Sequence, residues 1–380
     1  MPDTLTKLAY QAFQQGKSYF GLAHKTLGTQ LMKLVSPPPK ERSNPIPPDV
    51  LLRIQQRLTA VNETDWQDAE QGVYPVSVLF ENDWDEFFRY YPLVWIDMPS
   101  TWERANQKRY QDIPPNIDTS RFPNYYVQNF HHQTDGYLSD WSANLYDLQV
   151  DILFNGAADP MRRRVLSPLK QGLQAFEASN SSTMKVLDVA CGTGRTLRFI
   201  RATLPQASLY GVDLSDAYLR KANQLLSKIP GELPQLIQAN GEELPYQDDY
   251  FHGVTSVFLF HELPATARQN VIIECFRVTK PGGVFVICDS IQLNDSPDLA
   301  VLMEGFPASF HEPYYRHYVA DDLVARLQAA GFTDISTEVH FMSKYWVARK
   351  PATSPSSVSK LDGYETEEIR SFRHSLGKQG

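Results

Sequence analysis

From about residue 151 to residue 350, short apolar runs alternate with segments whose apolar positions recur every three to four residues. "MKVLDVA", "SLYGVDL", "PQLIQAN", "GVTSVFLF", "GVFVICDS", "FTDISTE" and "SKYWVARK" predict strands. "GRTLRFIRATL", "SDAYLRKANQLLSKI", "PATARQNVIIECFRVT" and "ADDLVARLQAAG" predict helices. Continuous apolar strands separated by amphipathic helices fit a sheet covered on both faces. The expected fold class is α/β: a doubly wound, Rossmann-like, mostly parallel seven-stranded sheet, with an aromatic-rich N-terminal extension.

In front of this pattern, residues 4–35 predict one helix. Leu5, Leu8, Ala12, Tyr19, Ala23, Leu27, Leu31 and Leu34 fall within an arc of about 140°. Lys7, Lys17, Lys25 and Lys33 lie outside that arc. Such a segment either docks on its own protein or lies on an anionic membrane surface. Residues 1–36 thus form an amphipathic unit and residues 37–49 a Pro-rich linker. Residues 50–145 read as an irregular, aromatic-rich extension or cap, holding Trp66, Trp84, Trp95, Trp102 and Trp141. The α/β domain is placed at 146–350, followed by a polar, flexible tail at 351–380 with a short helix near "EEIRSF".

Composition narrows the function classes. A net charge of −8 argues against nucleic acid as a partner. Cys191, Cys275 and Cys288 are widely spaced in apolar surroundings, which fits a reducing, cytoplasmic setting without disulfides. The N-terminus lacks a secretory signal pattern, and no apolar run is long enough to span a bilayer.

The stretch "VLDVACGTG", Val186–Gly194, ends a predicted strand in an acid and a small-residue turn, then opens a helix. Small residues let backbone N–H groups approach a ligand, and the helix N-terminus favours negative charge. Leu197 stands where a dinucleotide fingerprint needs its third glycine, and no Lys-Ser/Thr pair closes a phosphate loop. Asp213 ends the second strand, where a carboxylate accepts hydrogen bonds from a ribose diol.

This set resembles the class I S-adenosylmethionine-dependent methyltransferases. "VLDVACGTG" is similar to their first motif, "LYGVDLS" to their second, "QANGEELPYQDDYFHGV" to their third, and "RVTKPGGVFVICD" to the helix-turn-strand that closes the core. "YDLQVDILFNGAADPMRRRVL" resembles the lead-in of the ubiquinone/menaquinone-biosynthesis methyltransferases. The resemblance implies S-adenosyl-L-methionine as cofactor and S-adenosyl-L-homocysteine as product. It implies cofactor contacts at Tyr146, Asp188, Ala190, Cys191, Gly192, Gly194, Asp213, Leu214, Asn240, Gly241, Glu242 and Phe258. Ala190, Asn240 and His252 depart from the usual glycine and two aspartates.

Methyl transfer from a sulfonium is an in-line displacement, and a hydroxyl or carbon acceptor must also lose a proton. "FLFHELP" follows the fourth predicted strand, so His261 is the candidate base and Glu262 its orienting partner. "MEGFPASFHEPYYRHY" supplies aromatic residues for an acceptor site: Phe306, Phe310, His311, Tyr314 and Tyr315. His311, His317 and Glu312 form no recognisable ligand array, so no metal is expected. The expected partner is a small lipophilic acceptor, aromatic, quinone-like or isoprenoid, with peripheral membrane association through residues 4–35. The alternatives are a non-catalytic cofactor-binding or scaffolding protein and a protein methyltransferase.

Overall fold

The computed structural model describes residues 3–37, 46–177 and 183–352. Most of the Pro-rich linker and the helix expected near "EEIRSF" lie outside these residues. Seven strands build one sheet: β1 (Lys185–Val189), β2 (Ser208–Asp213), β3 (Gln235–Gln238), β4 (Phe251–Val257), β5 (Thr279–Ser290), β6 (Thr333–His340) and β7 (Ser343–Arg349). Their order is β3-β2-β1-β4-β5-β7-β6. Strands β1 to β5 are parallel, and β7 runs antiparallel between β5 and β6. Strand order reverses beside β1, the position where open α/β sheets bind ligands.

Side chains alternate across the sheet because successive strand residues point to opposite faces. Leu187, Val189, Val212, Phe285 and Ile287 join a core under α9 (Ala265–Val278) and α12 (Leu323–Ala330). Val186, Leu209, Val284, Val286 and Cys288 join a second core under α6 (Leu166–Glu177) and α7 (Arg195–Thr203). The third helix packed along β2 and β3 is α8 (Asp216–Leu226). Strand β4 stops at Val257, short of the expected "FLF", because Phe258 turns into a positive φ of 61°. His252 sits far from this end; its Nδ1 accepts from the Lys185 amide at 3.0 Å and ties β4 to the start of β1. Cys191, Cys275 and Cys288 are free and buried.

The region expected to be irregular, 50 to about 150, is instead largely helical. It contains α2 (Pro48–Glu70), α3 (Trp84–Asn106) and α4 (Asp140–Leu153), followed by α5 (Ala158–Arg163). Pro92 and Pro99 look like helix breakers, yet both lie inside α3. Each removes a backbone hydrogen bond. Packing of α3 on α4 and on α1 (Thr4–Val35) offsets that loss. Phe20 and His24 of α1 interleave with Phe87, Tyr91 and Trp95 of α3 at ring separations of 4.6 to 5.7 Å. Gly28 lets α1 approach closely, since a Cβ there would meet Met98 at 2.7 Å.

Helix α1 docks through the face opposite to its leucine arc. Tyr10, Gln14, Gly21, His24 and Gly28 are buried, whereas Leu5, Leu8, Tyr19, Leu27 and Leu34 are between 56% and 82% exposed. The docked face is anchored by a buried polar network. Asp65 of α2 accepts from Tyr10 Oη at 2.5 Å, Tyr74 Oη at 2.7 Å and Arg163 at 2.6 and 2.8 Å. The remaining helices, α10 (Ala300–Phe310) and α11 (Tyr315–Tyr318), lie between β5 and β6 in the chain.

Candidate active site

A cavity opens at the carboxyl ends of β1, β2 and β4. The loop after β1 makes its base: Ala190, Gly192 and Gly194 have φ of 58°, 52° and 78°. Glycine adopts that conformation freely, while an alanine pays a steric penalty of about 1 kcal/mol. Gly192 donates its N–H to Asp213 Oδ2 at 2.9 Å, and Ser215 donates its N–H to Oδ1 at 2.8 Å. Burial pushes the Asp213 carboxyl up to about 6 despite these two donors. Thr193 Oγ1 donates to Asp147 of α4 at 2.7 Å, locking the loop to the helix above it.

Tyr146, Ala190, Gly192, Asp213, Leu214, Asn240, Gly241 and Phe258 line this cavity. Four aromatics from the N-terminal region, Tyr125, Tyr126, Phe130 and Tyr137, also line it. Asp188, Cys191, Gly194 and Glu242 stand behind it. Asp188 is buried, accepts from Thr255 Oγ1 at 2.7 Å and is pushed by burial up to about 7. Burial likewise raises the Cys191 thiol well above its ordinary value, which makes it a poor nucleophile. Asn240 turns its Oδ1 to the Glu242 N–H at 3.0 Å. Glu242 accepts from Tyr125 Oη at 2.7 Å and Asn270 Nδ2 at 2.9 Å, binding the N-terminal region to the third-motif loop.

A second cavity adjoins the first, and Tyr146, Phe258 and Glu262 border both. Its walls are apolar: Val150, Phe154, Leu302, Met303, Phe306, Tyr315 and Met342. At one side lie His131, His261 and Glu262, with the buried Glu312 beside them. His261 Nδ1 is 2.7 Å from Asp289 Oδ1 at the end of β5, so Nε2 is the free ring nitrogen. Asp289 is itself fixed by the N–H groups of Phe260 and Ser290 at 2.6 and 2.7 Å. Burial alone would lower the His261 pKa, but the Asp289 carboxylate raises it to about 10. Glu262 accepts from Tyr137 Oη and lies 3.3 Å from His131 Nε2. Burial drives Glu312 up to about 8, and the neighbouring Glu262 adds to the rise.

Of the residues expected at an acceptor site, Phe306 and Tyr315 line this second cavity. Phe310 packs on Phe306 at 4.9 Å, and its ring centroid is 6.4 Å from that of His131. His311 stacks on Tyr110 at 3.9 Å and reaches Gln128 Oε1 at 2.8 Å, so it faces the N-terminal region. Tyr314 lies edge-on to Tyr125 at 6.5 Å. The structure also brings in His131, Asp289 (the last residue of the motif stretch "RVTKPGGVFVICD") and Glu312, none of which the sequence analysis assigned a catalytic or binding role. Asp289 had a legible signal, since it ends a core strand on the ligand-binding side of the sheet. A third cavity, about 340 Å³, lies among α1, α3, α4 and α8, and residues 188–194 do not line it.

Fold, loop and cavity together define the class: the chain resembles the class I S-adenosylmethionine-dependent methyltransferases, within them the ubiquinone/menaquinone-biosynthesis group. Residues 186–283 match the family model described as "Methyltransferase domain". The demethylmenaquinone methyltransferase of Geobacillus stearothermophilus is 35% identical over 109 residues, 28% of this chain and 46% of that protein. The ubiquinone/menaquinone biosynthesis C-methyltransferase of Burkholderia mallei is 30% identical over 152 residues, 39% of this chain and 56% of that protein. The chain thus spans about half the length of the curated relatives it matches. Human N-acetylserotonin methyltransferase, solved in complex with SAM, aligns with a TM-score of 0.48 and 14% identity over 70% of each chain.

Proposed function

We propose that this protein transfers a methyl group from S-adenosylmethionine to a small, lipophilic, aromatic or quinone-like acceptor. The observation that carries this reading is the pair of adjoining cavities. One is built on the motif loop and Asp213; the other is apolar and meets the first at Tyr146, Phe258 and Glu262. That arrangement suits an in-line displacement, with cofactor and acceptor on either side of a shared boundary. Asp213 accepts the ribose hydroxyls, the 190–194 loop holds the amino-acid end, and the tyrosine-rich lining favours a sulfonium.

His261 and Glu262 stand at the acceptor's reacting atom and ease its ionisation, with Asp289 rather than Glu262 aligning His261. The test is mass spectrometry of a quinone and lipid extract incubated with the protein and cofactor. A species one methylene heavier is expected, and its absence across quinone, phenol and isoprenoid fractions overturns the reading.

The curated relatives' names favour a quinone-type acceptor for this chain as well. A lipophilic acceptor partitions into bilayers, and the outward face of α1 provides contact with one. No described helix is long and apolar enough to cross a membrane. Helix α1 carries no acidic residue and exposes five leucines, Leu5, Leu8, Leu22, Leu27 and Leu34. The lysines contribute less than their number implies. Lys7 pairs with Glu63, Lys17 with Asp151, and Lys25 donates to the Leu153 carbonyl. Attachment therefore rests on apolar burial more than on anionic headgroups.

A further inference from the structure

We propose that His131, His261, Glu262 and Glu312 form a binding site for one divalent first-row transition cation, of which Zn²⁺ is the representative. The inference deepens the proposed function and rests on the second cavity being the acceptor's place.

The ligand atoms of these four side chains all lie within 4.8 Å of one another. His131 Nε2 is 3.0 Å from Glu312 Oε1 and 3.3 Å from Glu262 Oε1, and His261 Nε2 is 3.9 Å from Glu262 Oε1. Around a tetrahedral zinc with bonds of about 2.1 Å, ligand atoms stand roughly 3.4 Å apart. Small side-chain adjustments bring the four donors to that spacing.

Two further observations point to a cation. The Glu312 side chain is 0% exposed, yet neither carboxylate oxygen accepts a hydrogen bond among the described residues. His131 Nε2 approaches it at 3.0 Å without forming a hydrogen bond, and an acid so deeply buried is costly unless further positive charge compensates it. Once a bound cation has displaced their protons, two carboxylates and two neutral imidazoles carry a charge of −2 between them, which a divalent ion cancels. Second, the His261 Nδ1 contact with Asp289 has the form of the carboxylate–histidine–metal arrangement, which fixes the tautomer and presents Nε2 as ligand. Tyr137 Oη, donating to Glu262, supports another donor in the same way.

The donor set selects the metal class. Imidazole with carboxylate suits Zn²⁺, Mn²⁺, Fe²⁺ or Co²⁺, whereas Mg²⁺ prefers oxygen and water. A cation here borders the cavity that also contains His131, His261 and Glu262. It would act as a Lewis acid on an acceptor oxygen and lower the cost of ionising it.

The test uses the full chain, stripped with chelator and dialysed. Titration calorimetry with Zn²⁺ should show one site per chain, and Co²⁺ should give a visible absorption band. E312Q should weaken Zn²⁺ by more than about 100-fold and D289N by about 10–100-fold, while E304Q, on the exposed side of α10, leaves it unchanged. Circular dichroism and S-adenosylhomocysteine binding on the same samples establish that each variant is folded. If E312Q is unfolded, H131Q takes its place. Absence of a Zn²⁺ site in wild type, or a site that survives E312Q and H131Q, overturns the proposal. A wild-type chain that binds cofactor but no Zn²⁺ sinks this inference alone; a folded wild-type chain that binds no cofactor sinks the methyltransferase reading instead.

Discussion

Replacing Asp213 by asparagine tests how the proposed cofactor crevice works. Both carboxylate oxygens already accept backbone N–H groups, from Gly192 and from Ser215. An amide at this position turns its NH₂ toward one of those donors, so the loop loses a contact along with a charge. Two charge-assisted hydrogen bonds to a ribose diol are worth about 1.5–3 kcal/mol each. Loss of half to all of that weakens cofactor by roughly 10- to 10⁴-fold at pH 7.

The wild-type pH profile gives an independent number. Asp213 is raised to about 6 in the free protein, and the ribose needs it ionised. Its ionised fraction falls from about 90% at pH 7 to about 10% at pH 5, so affinity should fall about tenfold over that interval. The direction follows from the sign: acid protonates the group, and protonation removes an acceptor. The α-amino group of the ligand, a free amino-acid ammonium that titrates above this range, stays protonated throughout. Calorimetric titration with S-adenosylhomocysteine from pH 5 to pH 7 reads both effects. A flat wild-type profile, or a D213N protein with wild-type affinity, would refute the reasoning.

Other outcomes follow from the same geometry. H261A should reduce methyl transfer by at least about 100-fold while leaving cofactor affinity within a factor of two or so, measured by labelled-methyl turnover beside calorimetry. D65N should destabilise the protein by about 3–5 kcal/mol in urea unfolding, because Arg163, buried in the same network, loses its counter-charge. A loss below about 1 kcal/mol would mean that the network is not what anchors α1. Changing Leu5, Leu8, Leu27 and Leu34 together to serine should reduce vesicle co-sedimentation by at least about tenfold, with little dependence on salt. If wild type instead forms a dimer that the four substitutions disperse, a second copy of the chain covers that face.

The sheet was legible because its central strands are mainly apolar and buried and its helices amphipathic, so local pattern and tertiary role coincide. The motif loop was legible for a related reason: small residues between a strand and a helix have few other uses. The N-terminal helices were not. Pro92 and Pro99 are breakers by propensity, and the packing of α3 on α4, α1 and the 130–132 turn comes from positions distant in sequence. The leucine arc of α1 correctly marks an apolar face but not the docked one. Glycines and aromatics, with Tyr10 bound to Asp65, decide that orientation through partners distant in sequence. His131 was hidden for a similar reason. It enters the site from consecutive residues at positive φ, 54° and 56° for His131 and His132, which no short motif encodes. Glu312 follows His311 at φ 36°, and its neighbours come from positions 131 and 261–262.

The most direct measurement is calorimetric titration of the purified full chain with S-adenosylmethionine. A single saturable site per chain, displaced by S-adenosylhomocysteine, is the result expected from the crevice at β1 and β2. No heat of binding at millimolar cofactor, from protein shown to be folded, would contradict it.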